Sequence, residues 1–85
     1  MKREESTIRA TILHLLKQRG EGKTICPSEV ARAIAGDTRS DWEPWMEPIR
    51  NVAAGMADEG RLQITQRGHP VNAATAKGPI RLRLP

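Results

Sequence analysis

Two short runs near the carboxyl end of the chain alternate apolar and polar residues with a period of two. The first run covers residues 61–67 and the second covers residues 79–84. Strict alternation is typical of strands that bury one face, and two such runs separated by a turn-rich segment predict an antiparallel hairpin. The rest of the chain must therefore supply an apolar core for this hairpin to cover.

The predicted hairpin has an apolar inner face and a basic outer face. The inner row consists of Leu62, Ile64, Ile80, Leu82 and Leu84. The outer row consists of Arg61, Gln63, Thr65, Arg67, Arg81 and Arg83. Gly68 and Pro70 are expected to bend the segment that joins the two strands, because glycine and proline mark turns. This arrangement places His69 and Lys77 at the tip of the hairpin.

Three segments upstream of the hairpin show helical patterns. The first places Ile8, Ile12 and Leu16 on one apolar face, and Ser6 is its expected N-cap. The chain contains no Phe and no Tyr, so aliphatic residues of this kind must form most of the core. The predicted helices are residues 6–19, 27–35 and 47–59.

The start of the second helix carries a capping pattern. Proline is favoured at the first helical position, so Pro27 makes Cys26 the N-cap and Glu29 the third residue of a capping box. An N-cap at Ser28 is the alternative and shifts the start by two residues. Residues 24–26 are β-prone, and we expect a brief strand there.

Two prolines lie ahead of the third helix, at Pro44 and Pro48. Because proline disfavours helical geometry in the residue before it, we expect a turn near residues 42–46 and then the main helix. A continuous helix kinked near Pro48 is the alternative. Trp42 and Trp45 are the only aromatic residues, and we interpret them as fillers of the core.

The elements follow the order helix, short strand, helix, helix, strand, loop, strand. This is the order of the winged helix-turn-helix, an α+β fold with three helices and a small antiparallel hairpin as the wing. Eighty-five residues are enough for one domain, so we predict that residues 1–85 form a single winged-helix domain.

The sequence also resembles a known family. The segments ICPSEVARAI, PIRNVAAGMADEGRLQITQRG and HPVNAATAKGPIRLR are similar to those of small bacterial proteins in the domain-of-unknown-function family 3253. The resemblance extends over residues 8–84 and implies a winged-helix fold. The family has no assigned activity, so the resemblance implies no functional residues.

Positive charge is concentrated at the carboxyl end. Residues 1–59 hold nine Lys and Arg against ten Asp and Glu, whereas residues 60–85 hold five Lys and Arg and no acid. A basic segment of this kind favours contact with the phosphates of nucleic acid. A solvated basic hairpin that only keeps the protein soluble is the alternative.

We therefore predict a DNA-binding domain or transcriptional regulator that contacts double-stranded DNA mainly through its wing. The predicted nucleic-acid contacts are Arg50, Asn51, Arg61, Arg67, His69, Lys77, Arg81 and Arg83. Arg50 and Asn51 are included because the third helix of this fold normally reads bases in the major groove.

The charge of the third helix favours a different function. Residues 41–59 carry five acids against one base, and carboxylates repel phosphates. The alternative to DNA binding is therefore a protein–protein interaction module of the same fold. A homodimer is a further possible assembly.

The sequence predicts no enzyme, no metal site and no cofactor. Cys26, His14 and His69 lack the spacing of metal ligands or of a nucleophile and its base. No stretch approaches the roughly 20 apolar residues needed to span a bilayer, so we expect no membrane association. A single cysteine in a small protein is typical of a reducing compartment, and we expect a cytoplasmic location.

Overall fold

The computed structural model describes residues 2–73 and 75–85, with side chains from residue 4 onward. It confirms the α+β class, since helices pack on a small four-stranded antiparallel sheet. The helical elements are α1 (Lys2–Arg19), α2 (Pro27–Ala35), α3 (Arg39–Trp42), a 3₁₀ turn (Glu43–Trp45) and α4 (Met46–Asp58). The strands are β1 (Thr24–Ile25), β2 (Gln63–Gln66), β3 (His69–Pro70) and β4 (Arg81–Arg83).

Helix α1 begins earlier than the sequence predicted. It starts at Lys2, so the expected N-cap at Ser6 is wrong. No helix breaker precedes Ser6, and Glu4 and Glu5 in the first turn suit the positive end of the helix dipole. The helix buries the predicted apolar face, which includes Ile8, Ile12 and Leu16.

Helix α2 begins where the capping pattern predicts, with Cys26 as N-cap and Pro27 as its first residue. The backbone N–H of Cys26 donates a hydrogen bond to Glu29 Oε2 at 2.8 Å, and the Arg19 guanidinium pairs with the same carboxylate. Burial raises the pKa of Glu29, but the Cys26 N–H and Arg19 lower it by more, so it lies below its ordinary value. These contacts tie the end of α1 to the start of α2.

The chain is helical from α3 through α4, but it changes form at the prolines. Pro44 lies inside the 3₁₀ turn, which confirms the turn predicted for residues 42–46. Pro48 lies in the first turn of α4, where its missing N–H has no intrahelical partner to lose. Trp42 and Trp45 are half-buried and pack against the core, as predicted.

The end of α4 explains why β2 is shorter than predicted. The N–H of Gly60 donates to Ala57 O at 3.0 Å, and the N–H of Arg61 donates to Met56 O at 2.9 Å. This pair of bonds is a Schellman motif, in which a residue of positive φ, here Gly60, ends the helix. Arg61 therefore belongs to the helix end, and β2 begins only at Gln63.

The sheet has the strand order β1-β4-β2-β3, and each neighbouring pair is antiparallel. Leu82 of β4 lies opposite Ile25 of β1 on one side and Ile64 of β2 on the other. The pairing of β2 with β4 confirms that the two alternating runs lie side by side and antiparallel, although β3 lies between them in the chain. All three of these residues are buried against the helices.

The sequence did not predict strand β3, which pairs with β2 across a two-residue turn. Gln66 lies opposite His69, and the turn residues Arg67 and Gly68 have φ values of 53° and 82°. Two consecutive positive φ values are typical of a type I′ hairpin turn. Pro70 is tolerated in β3 because this strand lies at the edge of the sheet.

The outer face of the sheet differs from the prediction most clearly at Thr65. Thr65 was predicted to be exposed but is buried, with 6% of its surface accessible. It stands in register between Arg81 of β4 and Pro70 of β3, so neighbouring side chains flank it on both sides. The predicted inner row is buried at Leu62, Ile64, Ile80 and Leu82 and half-buried at Leu84.

Candidate nucleic-acid interface

The sheet and the loop between β3 and β4 form an open groove of about 670 Å³. We term it the basic groove. Its lining residues are Gln66, Arg67, His69, Lys77, Gly78, Pro79 and Arg81. Four of these seven residues were predicted as nucleic-acid contacts, and none of the seven is acidic.

No described acid pairs with the basic side chains that line the groove. Arg67, His69 and Lys77 are exposed, and their side chains have no hydrogen bond or ion pair with another described residue. Arg81 Nε donates to Thr24 Oγ1 at 2.8 Å, and Arg81 Nη2 lies 3.4 Å from the Thr24 carbonyl oxygen. Both acceptors are neutral, so the charge of Arg81 stays uncompensated. The groove therefore attracts anions.

Arg67 occupies a costly backbone conformation. Its φ of 53° lies in the left-handed region, which costs an ordinary L-residue about 1–2 kcal/mol. Asparagine or glycine is the usual choice at this position of a type I′ turn. Strained residues of this kind cluster at functional sites. This turn presents the Arg67 side chain to the basic groove, which it lines.

Gln66 holds the loop wall of the groove, a role that the sequence analysis missed. Its Nε2 donates to Lys77 O at 2.6 Å and to Pro79 O at 3.0 Å. The period-two pattern places Gln66 in the inward row after Leu62 and Ile64. A polar residue in this otherwise apolar row could have indicated that role, because a half-buried amide needs hydrogen-bond partners.

Arg50, which the sequence analysis predicted as a base contact, donates from α4 to the backbone of the same loop. Its Nη2 donates to Ala76 O at 3.0 Å and its Nη1 donates to Gly78 O at 3.2 Å. The side chain is half-buried between α4 and the loop. Its neighbour Asn51 is exposed on α4 and does not line the basic groove.

Two further predicted contacts lie outside the groove. Arg61 Nε lies 3.2 Å from Glu59 Oε1, in a carboxylate that also pairs with Arg9. Arg9 and Arg61 together lower the pKa of Glu59, mainly through the hydrogen bonds that Arg9 donates. Arg83 is half-buried, and its Nε is buried without a hydrogen-bond partner among the described residues.

The acids of the third helical segment stay apart from the basic groove. Asp41, Glu43 and Glu47 are exposed on α3, the 3₁₀ turn and the start of α4. Glu43 Oε2 pairs with Arg39 Nε at 2.8 Å. Asp41 and Glu47 have no partner among the described residues. This surface therefore carries uncompensated negative charge.

Comparison with known families identifies the group to which these residues belong. The sequence matches the family described as protein of unknown function (DUF3253) over residues 5–85. The chain belongs to this family. No curated protein matches the DUF3253 chain at a significant level of sequence similarity. The family description states no activity, so the function of this DUF3253 protein must be inferred from its site.

Two other kinds of feature are absent from the described part of the DUF3253 chain. It contains no group of three or more His, Cys, Asp or Glu side chains that could hold a metal ion. Within the same residues, no helix is both long enough and apolar enough to cross a membrane. The basic groove is therefore the feature on which we base a functional proposal.

Proposed function

We propose that this DUF3253 protein binds double-stranded DNA through its phosphates, with the basic groove as the contact surface. One observation carries the proposal. Arg67, Lys77 and Arg81 come from the β2–β3 turn, the following loop and β4, and they line one groove that contains no acid. Lys and Arg that neutralise phosphates supply most of the sequence-independent affinity of proteins for DNA.

The proposal includes a winged-helix interpretation of the fold. Helices α1, α2 and α4 would form the helical core, and β2 to β4 with their loops would form the wing. In this interpretation the protein is a DNA-binding module or transcriptional regulator of the cytoplasm. The free cysteine Cys26 supports a reducing compartment.

A titration at several salt concentrations tests the proposal. A fluorescently labelled 20-base-pair duplex is titrated with the protein, and binding is followed by anisotropy. Three contacted phosphates predict a slope of about −2.7 for the logarithm of affinity against that of salt concentration. Affinity should then fall about fortyfold between 50 and 200 mM salt, by the same relation.

Two matched variants show whether the groove or only the net charge is responsible. Lys77→Gln and Lys17→Gln each remove one exposed lysine charge, but Lys17 lies on α1 outside the groove lining. We expect Lys77→Gln to weaken binding and to reduce the salt slope by about 0.9, while Lys17→Gln changes neither. Equal losses in both variants would argue against the groove.

The outcome without binding also has a defined meaning. If the wild-type protein does not bind duplex DNA at 50 mM salt, the proposal is rejected. The protein–protein interaction module then becomes the favoured function. The exposed and unpaired carboxylates of Asp41 and Glu47 would be the first surface to examine for that partner.

A further inference from the structure

We infer that the basic groove accepts duplex DNA of any base sequence and prefers it to single strands. This inference rests on the proposed function and specifies its partner. In this arrangement the groove contacts phosphates and does not contact base edges. Three features of the molecule support it: the role of Arg50, the acids around the start of α4, and the positions of the two tryptophans.

Arg50 is committed to the protein's own backbone. It is the only basic residue in residues 41–59, and therefore the only positively charged side chain with which α4 could contact a base edge. Arginine reads guanine by donating two hydrogen bonds at once. Arg50 already donates from both terminal nitrogens, to Ala76 O and Gly78 O. Reaching a base would break both bonds and release the loop that carries Lys77.

The surface around the start of α4 repels the DNA backbone. Exposed carboxylates at Asp41 and Glu47 have no partner among the described residues. Inserting this end of α4 into a major groove would bring them close to the flanking phosphates, which is unfavourable. Asn51 is exposed on α4 but would approach bases only together with these acids. The basic groove is therefore left as the contact surface.

The groove contains none of the Trp, Tyr or Phe side chains that stack most strongly on unpaired bases. Proteins hold single strands largely by stacking bases on aromatic side chains. The chain has no Phe or Tyr, and Trp42 and Trp45 pack against the core instead of lining the groove. Stacking in the groove is limited to the His69 imidazole and the arginine guanidinium planes, so a single strand depends mainly on its phosphate contacts. Duplex DNA has the higher charge density, so it should bind more tightly.

The test compares four labelled 20-mers at 50 mM salt: an AT-rich duplex, a GC-rich duplex and one single strand from each. We expect the two duplex dissociation constants to agree within about fivefold, the smallest discrimination that one bidentate base contact gives. The single strands should bind more weakly. Their salt slope should be about −2.1, against about −2.7 for the duplexes, for the same three phosphates.

Two variants separate base reading from support of the loop. Asn51→Ala should leave all four dissociation constants unchanged, because Asn51 is exposed and contacts no base in this arrangement. Arg50→Gln should weaken both duplexes by the same factor, with folding checked by circular dichroism. A loss confined to one duplex, in either variant, would overturn the inference.

The remaining outcomes distinguish this inference from the proposed function. A preference of more than fivefold for one wild-type duplex, or tighter binding of the single strands, would overturn sequence-independent duplex binding and leave DNA binding intact. Failure to bind any of the four 20-mers would overturn both. Asn51→Ala keeps the inference testable even if Arg50→Gln does not fold.

Discussion

Replacing Arg67 with asparagine should stabilise the protein and weaken its binding to DNA. Arg67 has a φ of 53° at the first position of a type I′ turn, where asparagine is a preferred residue. The left-handed conformation costs an ordinary residue about 1–2 kcal/mol, and asparagine avoids part of that cost. We expect Arg67→Asn to raise the free energy of unfolding by about 0.5–1 kcal/mol, measured by chemical denaturation. The Tm should rise by about 2–8 °C for a domain of this size.

The same substitution removes one of the groove's three permanent positive charges. In the anisotropy assay, the salt slope for duplex DNA should shrink by about 0.9. The stability gain and the binding loss have separate causes, namely the turn backbone and the guanidinium. Because Arg67→Asn changes both at once, the stability gain and the binding loss should appear together in this variant.

Arg67→Gln is the matched control, because it removes the charge but keeps a residue that disfavours positive φ. It should lose as much binding as Arg67→Asn without the gain in stability. If Arg67→Asn is less stable than the wild type, the strain at this turn does not have the proposed size. An unchanged salt slope would refute the role of Arg67 as a phosphate contact.

Three further predictions concern the capping box, the core and the loop. Glu29 has a lowered pKa, so its contribution to stability is present above its ordinary pKa of 4.5 and is lost as pH falls through the folded value. Glu29→Gln keeps an acceptor for the Cys26 N–H but removes the charge that pairs with Arg19, so it should reduce the unfolding free energy at pH 7 by about 0.5–1 kcal/mol and by less at pH 3, measured by urea denaturation. Trp45→Ala should cost about 2 kcal/mol, less than a fully buried tryptophan, and an unchanged Tm would contradict its packing role. Gln66→Ala removes two hydrogen bonds to the loop, each worth about 1 kcal/mol. Trypsin should then cleave after Lys77 faster than in the wild type, and an equal rate would show that Gln66 does not hold the loop.

Much of the fold was predictable because its signals are local. The start of α2 follows from Pro27 and Glu29, which lie within three residues of Cys26 and act on the same helix end. The pairing of β2 with β4 follows from two alternating runs that each need one buried face. The turn before α4 follows from the backbone restriction that Pro44 imposes.

The errors in the fold arose where neighbouring residues permit more than one structure. Ser6 is a good N-cap, but helix formers precede it, so α1 extends to Lys2. Arg61 fits the alternating pattern, yet its N–H closes α4. Strand β3 is only two residues long and contains Pro70, which gave no strand signal in the sequence.

The basic character of the carboxyl end was evident from the residues alone, since charge and alternation are properties of the chain. Which cations share a groove depends on contacts between distant segments. Arg50 reaches the carbonyls of Ala76 and Gly78, and an arginine on a helix gives no indication of which carbonyl will come within its reach. Arg67, Lys77 and Arg81 line the same groove because the turn, the loop and β4 come together in space. That approach depends on the packing of the whole domain, which is why the periodicity of a single segment did not reveal the groove.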